Sequence, residues 1–361
     1  MKIKKHHHPL KSIIHIVGNR PQFIKLAVLH RELAESGLFA QKILHTGQHF
    51  SHDMSDLFFK ELNIPGADIN FNINNLPANQ FIAKAADELE KYFITTGQCI
   101  VIVYGDTNTT LAAAIAAKRS NAFLVHFESG VRTGVPDMPE EINRVLTDRL
   151  ADINLCCTAR NYATMQNEGY GTSIASQVYL TGDLMLDAFN NLKGNSKKIV
   201  PEDTYAACTI HRAGNVNNGD KLREIITGLN EINDTIPVIV PVHPNTRNMI
   251  EKFGCKPAFK MLNPLGYPDM ISLMARSSFV ITDSGGTCRE SYFLHKYALI
   301  IMERPFWPEI IENNCGLSSA PNKEEIIKKF FALRGLKGNF EANIFGDGNA
   351  AQKIKKILAG I

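Results

Sequence analysis

At 361 residues, with 44% hydrophobic and 21% charged residues, the chain has the length of two ordinary domains and enough apolar material to give each a core. A formal net charge of +3 with no basic block excludes a polyanion-binding surface, so no nucleic-acid partner is expected. The seven cysteines are odd in number and form no C-x-x-C pair, which argues against a disulfide framework and a zinc site and fits a reducing compartment. Met1 to Lys5 is basic, but His6, His7 and His8 follow where a signal peptide would carry its apolar core. No apolar run approaches the ~18 residues that span a bilayer. A cytoplasmic protein without a membrane partner is the expectation.

In chain order, one unit recurs: a short apolar strand, a polar or glycine-containing turn, then an amphipathic helix. Ser12–Val17 reads as a strand, Gly18–Pro21 as its turn, and Gln22–Leu33 as a helix with Phe23, Leu26, Ala27 and His30 at helical spacing. Ala40–Leu44 is the next strand. Cys99–Tyr104 leads through Gly105-Asp106-Thr107 into an alanine-rich helix over Leu111–Lys118. Ala122–Phe127 and Val178–Leu180 are further strands, and Gly182-Asp183 opens another helix. A polar, breaker-rich stretch within Asn190–Thr204 marks a domain boundary. The grammar then resumes: strand Ala206–Ile210 ending at His211, helix Lys221–Ile232, strand Pro237–Val242 ending at His243, strand Phe279–Thr282 running into Asp283-Ser284-Gly285-Gly286 and a helix, and strand Tyr297–Met302. Such alternation predicts an α/β fold of parallel sheets covered on both faces.

Arg20, His49, Asp106, Glu128, His211, His243 and Ser284 all fall just past predicted strand ends, where open α/β sheets bind ligands. Loops are polar in any case, but so many such residues in series favours a site. Two segments suit phosphate. Thr282–Thr287 turns through two glycines into a helix, and free N–H groups with the helix dipole attract an anion. Gly18–Lys25 places Pro21 at a helix start with Arg20 and Lys25 beside it. Neither segment is a P-loop or a G-x-G-x-x-G fingerprint, so no nucleotide cofactor is implied. Asp106, Glu128, Glu140 and Glu141 supply carboxylates for acid–base work. Taken singly, Asp106 is explained as a helix N-cap, and Glu140 and Glu141 as first-turn acids.

Together these segments resemble the UDP-N-acetylglucosamine 2-epimerase family, in family order and over nearly the whole chain. The motifs are Gly18-Asn19-Arg20-Pro21-Gln22, His45-Thr46-Gly47-Gln48-His49, Gly105–Thr110, His126–Arg132, Pro139–Arg144 with Thr147-Asp148, His211-Arg212, Pro241–Pro244, Thr282–Gly286 and Phe345–Gly348. The resemblance implies two Rossmann-like lobes of the glycosyltransferase-B type with the active site in the interlobe cleft. The lobes would cover 1–190 and 191–346, with a final helix at about 347–361 packing back on the first. It further implies a homodimer and a cofactor-free, metal-free reversible inversion at C2 of UDP-GlcNAc, giving UDP-ManNAc through a 2-acetamidoglucal. By matching motifs, Asp106, Glu128, Glu140 and His211 would be catalytic. Arg20, Lys25, Met270, Ser284, Gly285, Gly286 and Glu290 would bind the nucleotide sugar. Gln48, His49 and His243 would line a second, regulatory site.

Three departures fall in the second half. Gly214 stands where the family's H-R-x-E-N has Glu, Cys288 where D-S-G-G-[IV]-Q has Gln, and in Met302–Glu309 the family's Arg ahead of T-E-[RW]-x-E is missing, with Arg304 offering a shifted substitute. Four alternatives therefore stay open: a hydrolysing epimerase releasing ManNAc and UDP, an epimerase of another UDP-2-acetamido sugar, a glycosyltransferase, and a non-catalytic sensor. Asp106-Thr107-Asn108 and Glu128-Ser129-Gly130 favour the non-hydrolysing branch.

Overall fold

The computed structural model describes residues 11–48, 59, 62–192 and 197–361. The histidine run at 6–8 and His49 lie outside them. The chain forms two compact units, Met1–Ala188 with Phe345–Ile361, and Phe189–Ile344.

Unit 1 carries strands β1 (Lys11–Val17), β2 (Phe39–His45), β3 (Ile69–Asn70), β4 (Ile100–Tyr104), β5 (Phe123–Ser129), β6 (Ile153–Cys156) and β7 (Gln177–Leu180). All pair in parallel, in the order β3-β2-β1-β4-β5-β6-β7. Its helices are α1 (Arg20–Ser36), α2 (Ala78–Thr96), α3 (Asn108–Arg119), α4 (Pro139–Leu150), α5 (Ala159–Asn167) and α6 (Leu184–Leu192), the last crossing into unit 2. The apolar runs of β1 and β4 are buried on both faces, as a helix-covered parallel sheet requires. Ala112, Ala113, Ala114, Ala116 and Ala117 are fully buried, so α3 lies close against its neighbours.

Unit 2 repeats the plan with β8 (Ala206–Thr209), β9 (Val238–Pro241), β10 (Lys260–Leu262), β11 (Phe279–Thr282), β12 (Ala298–Ile301) and β13 (Gly316–Ser319), in the parallel order β10-β9-β8-β11-β12-β13. Helices α7 (Ala213–Val216), α8 (Gly219–Asn233), α9 (Pro244–Lys252), α10 (Tyr267–Arg276), α11 (Gly285–Phe293), α12 (Pro308–Glu312) and α13 (Lys323–Ala332) accompany it. The chain then returns to unit 1, where α14 (Ala350–Gly360) packs on α1. The two Rossmann-like α/β units are the glycosyltransferase-B composition expected from the sequence. In each, strand order reverses once, between β1 and β4 and between β8 and β11, and such a switch point is where this class of sheet binds ligands.

Two expectations need correcting. Asp106 is not a helix N-cap: the Thr107 hydroxyl caps α3 by accepting from the Thr110 N–H. Glu128 is not past the end of its strand, because β5 continues to Ser129 through a shift of register between Phe127 and Ser129. The Glu128 backbone there has φ 74°, a left-handed conformation disfavoured by a side chain. A bulge of this kind re-aims the side chain that sits on it.

The return of the chain carries a titratable staple. The buried Asp187 carboxylate of α6 accepts from Ala350 N at 3.1 Å and Ala351 N at 2.8 Å, at the start of α14. Burial pushes its carboxyl up to about 6, against the pull of those two N–H groups and with Asp183 and Asp347 adding to the rise. A carboxyl raised in the folded state binds its proton more tightly there than in the unfolded chain. Unfolding free energy is therefore expected to fall as pH rises from the ordinary carboxylate range through about 6. Denaturant unfolding of Asp187→Asn against the parent over that window should show a flatter profile for the variant.

Candidate active site

The switch point of unit 1 is closed by one side chain. Gln22, on the first turn of α1, accepts from Gly18 N at 2.7 Å and Asn19 N at 3.3 Å through Oε1. Its Nε2 lies 2.9 Å from the Tyr104 carbonyl and 3.1 Å from both the Thr107 and Thr110 hydroxyls. The turn after β1 is thus tied to the turn after β4. Gly18 belongs to the same clasp, since a Cβ there would collide with the Thr109 and Thr46 hydroxyls. Gln22→Ala would strand several buried donors and acceptors, and a loss of about 2 kcal/mol in chemical unfolding is expected.

Arg20, the first residue of α1, is half-buried beside this clasp. Lys25, expected near a diphosphate, is buried and forms an ion pair with Glu128. Asp106 pairs with the fully buried Arg144 of α4, whose other arm meets Glu141 at 3.0 Å. Asn143 donates to the Asp106 carbonyl at 3.0 Å. Glu141 accepts from the Thr133 and Gly134 N–H groups and from the Thr133 hydroxyl, so it anchors the loop before α4. Glu140 sits half-buried one residue earlier in the first helical turn. Unit 1 therefore holds Asp106 and Glu128 each against its own buried cation. Gln48, expected in a regulatory site, accepts from Thr109 N at 3.1 Å and the Thr109 hydroxyl at 2.8 Å, at the start of α3.

In unit 2 the switch point is organised by Asp283, which is fully buried at the end of β11. Its carboxylate accepts from His211 N at 3.0 Å, Arg212 N at 2.9 Å and Asn215 Nδ2 at 3.0 Å, holding the turn after β8. The His211 ring stays largely exposed, its Nδ1 3.9 Å from Asp283. The Ser284 hydroxyl caps α11 by accepting from Thr287 N at 3.3 Å. A Cβ on Gly285 would meet the Phe306 ring at 2.8 Å. The Arg212 guanidinium stacks on Phe306, 4.9 Å from its centroid, and Trp307 Nε1 donates to the Gly285 carbonyl at 3.1 Å. The divergent Met302–Glu309 segment thus forms the backing of the glycine turn. Arg304 is exposed beside it, and the missing side chain at Gly214 leaves open space. Glu290 is buried on α11, Met270 is buried on α10, and His243 caps α9 through Nδ1.

Gln22, Arg144 and Asp283 carry this geometry, yet none stood out as a site residue in the sequence. Their signal was their place inside the same motifs as Arg20, Glu140 and Ser284. Among the described residues no group of three or more His, Cys, Asp or Glu is arranged to hold a metal ion, and no helix is long and apolar enough to cross a membrane.

Residues 31–359 match the family model for UDP-N-acetylglucosamine 2-epimerase. The chain belongs to that family. A UDP-2,3-diacetamido-2,3-dideoxy-D-glucuronate 2-epimerase of Pseudomonas aeruginosa is 34% identical over 352 residues, covering 96% of this chain and 99% of that protein. A UDP-N-acetylglucosamine 2-epimerase of Methanocaldococcus jannaschii is 32% identical over 361 residues, covering 95% and 97%. The crystal structure of Methanocaldococcus jannaschii UDP-GlcNAc 2-epimerase in complex with UDP-GlcNAc and UDP superposes with a TM-score of 0.91 at 31% identity, over 97% of this epimerase and all of that chain.

Proposed function

We propose that this epimerase reversibly inverts C2 of UDP-GlcNAc to give UDP-ManNAc by elimination and re-addition of UDP. The observation that carries the reading is the pairing in unit 1 of Asp106 with Arg144 and Glu128 with Lys25 at a sheet switch point. C2–H of the sugar has no adjacent carbonyl, so a base alone cannot remove its proton readily. A carboxylate takes the C2 proton as the C1–O bond breaks and its electron pair leaves with UDP. C1=C2 forms, giving the 2-acetamidoglucal. Reprotonation on the opposite face with return of UDP to C1 gives the epimer. Preorganised charge near the ring cation and the departing diphosphate supplies the stabilisation this path needs.

In this reading Asp106, Glu128 and Glu140 handle the C2 proton and the ring cation, and His211 assists the diphosphate. Arg20, Ser284, Gly285, Gly286 and Glu290 bind the nucleotide, with Met270 near the uracil. Lys25 serves chiefly to hold Glu128. The UDP-sugar substrate is supported by the complex of the Methanocaldococcus relative. The non-hydrolysing outcome rests on Asp106-Thr107-Asn108 and Glu128-Ser129-Gly130. A homodimer accompanies the proposal, and exposed Ile142, Val145 and Leu146 on α4 offer an apolar face for a second copy.

A second reading, epimerisation of a UDP-diacetamido-uronate, is favoured by the Pseudomonas relative and by the divergent backing of the Gly285 turn. Product analysis separates the readings. Incubation with UDP-GlcNAc should yield intact UDP-ManNAc. Free ManNAc would assign a hydrolysing enzyme, and turnover of the diacetamido-uronate alone would assign the second substrate.

A further inference from the structure

Behind the proposed carboxylates lies a buried polar cluster to which the mechanism assigns no role. The His126 ring, within β5, is fully buried. Its Nδ1 lies 2.8 Å from Asp148 Oδ1 and its Nε2 2.7 Å from the Gly105 carbonyl. A backbone carbonyl can only accept. Asp148 also takes Arg132 Nη1 at 2.7 Å and Gly130 N at 3.2 Å on its other oxygen. Complete burial pushes the Asp148 carboxyl up, but His126 and Arg132 outweigh burial and hold it below the usual carboxylate range. The ion pair with Arg132 and the bond from Gly130 N make Asp148 an anionic acceptor as well. An imidazole facing acceptors on both sides must donate from both nitrogens, since a bare ring nitrogen would set two lone pairs against each other at bonding distance.

The partners of this ring give it a purpose. Gly105 directly precedes Asp106, and its own N–H donates to the Phe127 carbonyl at 2.9 Å. Gly130, held by Asp148, lies two residues after Glu128. His126 and Asp148 thus fasten the residue before Asp106 and both ends of the bulge that carries Glu128. A Cβ on Gly130 would collide with the Asn161 carbonyl, so the bulge has no slack on that side.

We propose that His126 is a positioning residue that, as a doubly protonated imidazolium between Asp148 and the Gly105 carbonyl, sets the spacing of Asp106 and Glu128. This rests on the C2 proton-transfer reading above. His126→Phe keeps ring volume without donors, and His126→Gln can donate to only one of the two acceptors. In variants that keep a cooperative thermal transition, kcat is expected to fall about 100-fold, the scale of a misplaced reacting group, while the dissociation constant for UDP stays within about twofold. A folded variant with kcat within a few-fold of the parent overturns the proposal. Neutron diffraction on the unmodified protein decides the protonation independently of variant folding. Deuterium on both His126 ring nitrogens is expected, and deuterium on one alone overturns it. Absence of C2 exchange in the parent enzyme would instead sink the reaction assignment, a result distinct from either of these.

Discussion

Asp106→Asn is expected to lower turnover by at least ~10³-fold while leaving unit 1 folded, because a positioned acid or base contributes about 10²- to 10⁴-fold. Asparagine preserves the shape of the side chain and leaves the backbone bond from Asn143 in place. Arg144 keeps Glu141 as its partner at 3.0 Å, so its buried charge is not abandoned. What asparagine cannot do is accept and return a proton, or offset the Arg144 charge beside a developing ring cation. Steady-state kinetics with a thermal unfolding curve checks both halves of the expectation. A folded variant with near-normal turnover would remove Asp106 from the chemistry.

The second large effect concerns stability. Lys25 and Glu128 are both buried, and Glu128 is held on a left-handed backbone. Removing one partner of a buried pair costs about 3–5 kcal/mol, because the other charge is left in a medium that solvates it poorly. Lys25→Met is expected to lose that much in chemical unfolding. The double variant Lys25→Met with Glu128→Gln should recover most of it, since neither charge then remains. Additive losses in the double-mutant cycle would show that the two side chains do not act as a pair.

The alternation of strand and helix was legible because parallel strands buried on both faces are written as β-branched runs such as Ile13-Ile14-His15-Ile16-Val17 and Ile100–Tyr104. Strands with weaker runs were missed: β3 has two residues, β10 has three, and β13 begins at Gly316. β6 carries a buried Asn154, whose Nδ2 donates to the Asp148 carbonyl and the Ser176 hydroxyl. Helix α2, with 19 residues, has its buried positions at Phe81, Ala85, Leu89 and Phe93, a spacing available in the sequence but without a polar cap at its start, where Pro77 stands.

The candidate site was legible in kind but not in detail. Polar residues at strand ends pointed to the switch points, yet the sequence could not show which of them serve one another. The sequence places Lys25 at a helix start but does not show that Glu128 lies beside it. That Gln48 bonds to Thr109 at the start of α3 was equally invisible in the sequence. The bulge at Glu128 has no local signature, because its left-handed residue is neither glycine nor asparagine. It shows only in the pairing with β6, where the register shifts between Phe127 and Ser129.

Solvent exchange at C2 bears most directly on the central proposal. Incubation with UDP-GlcNAc in deuterated water is expected to place deuterium at C2 of both recovered UDP-GlcNAc and UDP-ManNAc, with Asp106→Asn showing none. Interconversion of the two sugars with C2 still fully protiated would contradict proton removal and return by the unit 1 carboxylates.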